Sequence, residues 1–140
     1  MKQVADYQVS LKAILKNSLW ETLILKTPEN SGFLGKYDFP GGRIDEDEFH
    51  VDYLDILRRE IKEEVGDVKV ELENKVVAIG RHQHKWKYII YIVYEGKILD
   101  ENIHISFEHS WFEFVKLEEI DIQSYFMSGM LEVVKMYLHK

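Results

Sequence analysis

Cysteine is absent from the 140 residues, which excludes disulfides and thiolate-held zinc and is compatible with a reducing compartment. Proline occurs only twice, and no Pro/Ser-rich linker, internal repeat or low-complexity tract marks a boundary. A single domain over residues 1–140 is therefore expected, with 46% apolar content enough for a sizeable core. No stretch approaches the roughly 20 apolar residues that span a bilayer, and no apolar run follows a basic start. These absences predict a soluble, cytoplasmic protein with no membrane partner. Positive charge is also short: 18 Lys and Arg stand against 25 Asp and Glu, for a formal charge of −7. That balance argues against general nucleic-acid binding, which needs clustered cations on phosphates. An acidic protein that handles a polyanion needs a metal ion or local basic side chains.

What is present reads as alternating structure. Residues 7–15 and 19–25 look like two strands joined by the polar turn Lys16-Asn17-Ser18. Residues 27–36 hold proline, asparagine, serine and two glycines, and predict a surface loop. A short strand at 37–39 feeds the Pro40-Gly41-Gly42 turn. Residues 68–79 and 86–94 are rich in β-branched and aromatic side chains, with Gly80 and a His-rich stretch between them, and residues 110–115 read as another strand. Residues 124–138 carry apolar groups at helical spacing, predicting a closing helix. The order points to an α/β or α+β sandwich in which helices cover a mixed sheet.

The densest chemistry lies between Pro40 and Gly66. A helix over 53–65 places Leu54, Leu57, Ile61 and Val65 on one stripe. Glu60, Glu63 and Glu64 then cluster on its flank, where Glu60 repels the other two at a cost of roughly 0.2–0.5 kcal/mol per pair. Acidic runs are ordinary on solvated helix faces, and Arg59 with Glu63 is an ordinary i,i+4 pair. The glycine turn upstream and Gly66 as a helix stop set this run apart. Hard cations such as Mg²⁺ or Mn²⁺ take carboxylate, carbonyl and phosphate oxygens. Gly42 can bring a carbonyl close to such an ion, and Pro40 stiffens the entry to the turn.

Gly42, Glu48, Arg59, Glu60, Ile61, Glu63, Glu64 and Gly66 resemble the Nudix box. Two departures stand out: ten residues rather than seven separate Glu48 from Arg59, and Asp67 occupies a usually apolar position. The extra residues, around 49–55, either lengthen the loop or add most of a helical turn. The resemblance implies a Nudix-like α/β/α fold with a mixed sheet. It also implies an enzyme, a pyrophosphohydrolase cutting within the pyrophosphate of a nucleoside diphosphate-linked small molecule. The expected metal set is Gly42, Glu60, Glu63 and Glu64 with Mg²⁺ or Mn²⁺. Glu63 is either a ligand or the base, and Arg59 orients the carboxylates.

A further acidic group is expected from a later loop or strand, with Glu113 ranked slightly ahead of Glu108. Arg81, His82 and Trp86 are candidates for holding phosphate and stacking on a base. They fit equally well as a polar turn with an anchored aromatic. A catalytically silent nucleotide-binding domain is the alternative function, but it would be expected to lose box carboxylates, and all remain. A superfamily isomerase would want a reactive cysteine. Oligomeric state is left open, a homodimer included.

Overall fold

The computed structural model describes residues 2–139, and within them the chain builds one mixed sheet covered by helices on both faces. The first strand, β1 (Tyr7–Lys16), is its centre. It pairs in parallel with β6 (Lys87–Ile98) along its whole length, from Tyr7 opposite Tyr88 to Lys16 opposite Lys97. On its other edge it pairs antiparallel with β4 (Gly41–Arg43) through Ser10 to Lys12, and with β2 (Thr22–Lys26) only at Lys16 opposite Thr22. The expected β1–β2 hairpin is thus joined at its turn and splays beyond it. Into that opening the glycine turn inserts. β3 (Tyr37–Asp38) and β7 (Trp111–Val115) both pair with β2, and β5 (Val70–His84) closes the far edge against β6.

Strand alternation sends successive side chains to opposite faces, so β1 divides two cores. Leu11, Ala13 and Leu15 face α1 (Tyr53–Val65) and meet Ile56, Leu57, Ile61 and Val65. Ile14 faces the other way, into a cluster with Phe39, Tyr91, Phe126, Val133 and Val134 beneath α3 (Ser128–Leu138). Each fully buried aliphatic side chain on α1 contributes ~1.5–3 kcal/mol relative to exposure. That is ample to offset the carboxylate repulsion on the same helix. Asp52 caps the helix by accepting from the Leu54 N–H at 2.9 Å, and Gly66, at φ 94°, ends it.

Two expectations are corrected. The strand predicted to stop at Ile79 runs through Gly80 to His84, because α3 crosses here so closely that a Cβ at Gly80 would lie 2.3 Å from the Gly129 carbonyl oxygen. Gly80 marks a close approach, not a turn. The single closing helix expected over 124–138 is two: α2 (Ile122–Tyr125) and α3, separated by extended Phe126 and Met127. Ser128 starts α3 at φ 53° and its hydroxyl lies 2.7 Å from His82 Nδ1. The extra residues of the box go to the loop: after a 3-10 turn at Glu46–Glu48, Phe49, His50 and Val51 are exposed, and the helix begins at Tyr53. No helix among the described residues is long and apolar enough to cross a membrane.

Candidate active site

The glycine turn is fixed from both sides. Gly41 has φ 143°, a value that favours glycine, and a Cβ there would lie 1.9 Å from the Leu11 carbonyl oxygen. Its N–H donates to Glu64 Oε1 at 2.6 Å, joining the turn to the last turn of α1. A Cβ at Gly42 would lie 2.3 Å from Glu60 Oε2. Gly41 therefore lets the turn lie against the β1 backbone, and Gly42 leaves the space that the Glu60 carboxylate occupies. One turn of helix separates Glu60 from Glu64, and both line a cleft of about 400 Å³.

The cleft's other walls come from distant segments. Lys12, only 6% exposed, projects from β1 and donates to Asp38 at 2.9 Å. Burial works against its ammonium, but Asp38 and Glu64 outweigh that penalty and its pKa is raised. Ser10, Arg43, Tyr91 and Phe33 line the same space, and Glu108 and His109 close it from the loop before β7. His109 Nδ1 is buried, has no hydrogen-bond partner among the described residues, and lies 3.5 Å from Glu64 Oε2.

Burial pushes the Glu64 carboxyl up to about 7, against the pull of Lys12 and the Gly41 N–H. Burial likewise raises Glu60, and Arg59 only partly opposes it. Both carboxylates thus lack sufficient positive charge for their burial. Two hard oxygen ligands on one helical turn, beside a glycine turn whose backbone approaches them closely, fit Mg²⁺ or Mn²⁺, which is commonly held by one or two carboxylates plus substrate phosphates. Among the described residues no three His, Asp or Glu side chains are gathered as a complete ligand cluster. Such an ion would have to draw its remaining ligands from carbonyls, water and substrate.

Arg59 organises the flank. It donates to Glu48, to Glu63 at 3.1 Å, and stands 3.3 Å from Glu60. Glu48 also accepts from the Asp45 N–H at 2.9 Å, so both its oxygens are engaged. Together with Arg59, that backbone bond keeps Glu48 below the usual carboxylate range. Glu63 is exposed on the outer side of this network and does not line the cleft.

Of the residues expected from the sequence, the structure brings Gly42, Glu60, Glu64 and Glu108 together and holds Arg59 beside them. It leaves Glu113 outside: that carboxylate lies on β7 opposite Ile24 and accepts from the Tyr37 hydroxyl. Arg81 is exposed on β5, and Trp86, 83% exposed, sits at the β5–β6 hairpin tip. His82 is buried outside the cleft lining and packs on Phe33, with ring centroids 5.3 Å apart. Lys12, Asp38 and His109 belong to no motif that singles them out in the sequence, and Phe33 reads there as core or rim. A lysine interrupting the apolar run of β1 was the one available signal for Lys12.

The NUDIX domain family model matches residues 7–135, so the chain belongs to that family, and it is a hydrolase of it. No curated protein matches the sequence. Among solved structures, the MutT protein from Methanosarcina mazei is 25% identical with a TM-score of 0.75, over 99% of this chain and 95% of that one. An Ap4A hydrolase from C. elegans is 18% identical with a TM-score of 0.75, over 94% and 96%. The NUDIX domain of Shewanella oneidensis NrtR, complexed with ADP ribose, is 16% identical with a TM-score of 0.69, over 97% and 89%. The last two likenesses carry the fold alone.

Proposed function

We propose that the chain is a cytoplasmic, metal-dependent pyrophosphohydrolase that cuts the pyrophosphate bond of a nucleotide or nucleotide conjugate. The observation that carries this reading is the convergence of Glu60, Glu64, the glycine turn and the buried Lys12–Asp38 pair on one cleft. Glu60, Glu64 and the Gly42 carbonyl would hold Mg²⁺ or Mn²⁺. When bound, the ion neutralises phosphate charge and lowers the pKa of a water.

The chain's own residues supply the rest. Lys12 sets a fixed cation at the floor of the cleft, and Arg43 adds a second at its wall, so that phosphate oxygens meet charge on two sides. Glu108, exposed at the rim, is placed to take a proton from an attacking water. Half-buried Phe33 offers aromatic surface for a base. Arg59 fixes Glu48 and Glu60 and stays off the phosphate. The presence of every box carboxylate favours hydrolysis over silent nucleotide binding.

The test is a substrate screen with Mg²⁺ or Mn²⁺, using nucleoside triphosphates, dinucleoside polyphosphates, sugar nucleotides, ADP-ribose and NADH, and reading released phosphate and nucleoside monophosphate. Turnover of at least one class, abolished by EDTA and by Glu64→Gln, is expected. Turnover that persists in EDTA, or none on any class, would overturn the proposal.

A further inference from the structure

A second cleft, of about 380 Å³, opens at the far end of β1, lined by Lys16, Asn17, Trp20, Lys97, Leu99 and Glu101. Lys16 lies four residues beyond Lys12 on the same strand face, about 13 Å away at the rise of a β-strand. Fully buried Ile14 stands between them, so the two clefts are separate.

Three features of this cleft are unrelated to the first cleft. Trp20 is 68% exposed and adopts φ 63°, a left-handed conformation that asparagine or glycine takes far more readily. Its exposure gives little burial in return. The turn that presents it is rigid: Asn17 Oδ1 accepts from the Leu19 and Glu21 N–H groups at 3.0 and 2.9 Å, and its Nδ2 donates to Glu21 and Glu101. Lys16 and Lys97 are direct partners in the parallel β1–β6 pairing, where like charges oppose one another. Among the described residues neither lysine has a carboxylate within ion-pair distance, although the protein as a whole is acidic. Lys16 Nζ instead lies 5.6 Å from the Trp20 ring centroid and 5.2 Å from that of Tyr137.

We propose that this cleft binds a nucleoside monophosphate, with its base on Trp20 and its phosphate between Lys16 and Lys97. A flat ring and a compact dianion match an exposed indole beside two unneutralised ammonium groups, and Glu101 offers an acceptor for a base amino group. The site is distinct from the catalytic cleft and does not depend on the reaction proposed there.

Calorimetric titration of the full chain with AMP in EDTA, with the Trp20 indole N–H followed by NMR, tests this. Saturable AMP binding that shifts the Trp20 resonance is expected. Loss of stacking or of one phosphate contact should weaken it roughly tenfold in Trp20→Asn and in Lys97→Met. Trp20→Asn suits the left-handed turn, so the fold should survive, and Lys97→Met leaves that turn untouched. Glu64→Gln should bind AMP as wild type, while adenosine and inorganic phosphate should each bind more weakly than AMP. No saturable binding, unchanged affinity in both variants, phosphate binding as tightly as AMP, or loss of binding only on Phe33→Ala would overturn the proposal.

Discussion

Arg59 donates to Glu48 across ten intervening residues, tying the 3-10 turn before the loop to the middle of α1. The tie is made by side chains, and the exposed Phe49, His50 and Val51 take no part in it. Deleting those three residues should therefore leave the protein folded, with Mg²⁺ affinity within a few-fold of wild type. Metal titration of the folded deletion variant checks this, and a large loss of affinity would show that the longer loop helps set the helix.

Replacing Glu60 or Glu64 with glutamine keeps the shape of the side chain and, at Glu64, an acceptor for the Gly41 N–H. Loss of a charged metal ligand should reduce kcat/KM by at least ~10², with Tm held or raised because a buried charge has been removed. Wild-type activity in either variant would remove the carboxylate from the proposed ligand set.

Glu108 and Glu113 separate cleanly. General-base assistance is worth ~10²–10⁴ in rate, so Glu108→Gln should lower kcat by that factor and leave stability near wild type. Glu113→Gln should leave kcat intact and cost ~1 kcal/mol of stability through the weakened Tyr37 contact. A reversed pattern would return the role to β7.

The metal-free protein should be pH-sensitive in a defined sense. Glu64 has a pKa of about 7 in the fold against an ordinary value of 4.5. A raised folded pKa means that the proton binds the folded state more tightly, so this stabilisation is complete below the ordinary value and is lost as pH rises through the folded one. In EDTA, Tm should fall between about pH 5 and about pH 8, and Glu64→Gln should flatten that slope. Equal slopes in the two proteins would assign the pH dependence to other groups.

The meeting of β5 and α3 offers a test of packing alone. Alanine at Gly80 would press on the Gly129 carbonyl, and alanine at Gly129 would sit 2.4 Å from the Arg81 carbonyl oxygen. Such overpacking typically costs ~1–3 kcal/mol. Both variants should lose Tm while keeping activity at low temperature, and an unchanged Tm would show that the helix moves freely outward.

Local signals explain what could be read from the chain itself. The apolar spacing and Gly66 both act within a few residues, so the helix expected over 53–65 coincides with α1, Glu60 and Glu64 included. Lys12 and Asp38 lie 26 positions apart and meet only because β4 opens the sheet between β1 and β2, which no local pattern encodes. Gly80 looked like a break because glycine weakens a strand, whereas here the missing side chain admits a helix. The interruption at Phe126 and Met127 is hidden because Phe126 is buried, which keeps the apolar spacing going across a gap in the backbone helix.

The parallel pairing of β1 with β6 also governs how the molecule comes into being. Tyr7 meets Tyr88 and Lys16 meets Lys97, contacts separated by about 80 positions in the chain. Such non-local pairings slow folding, since a long loop must close before they form. On the ribosome, the apolar first strand has no lasting partner on that edge until more than two thirds of the chain has been made. Nascent chains stalled before Lys87 should therefore stay open to protease at residues 7–16, and protection should arrive abruptly once Ile98 has cleared the exit tunnel.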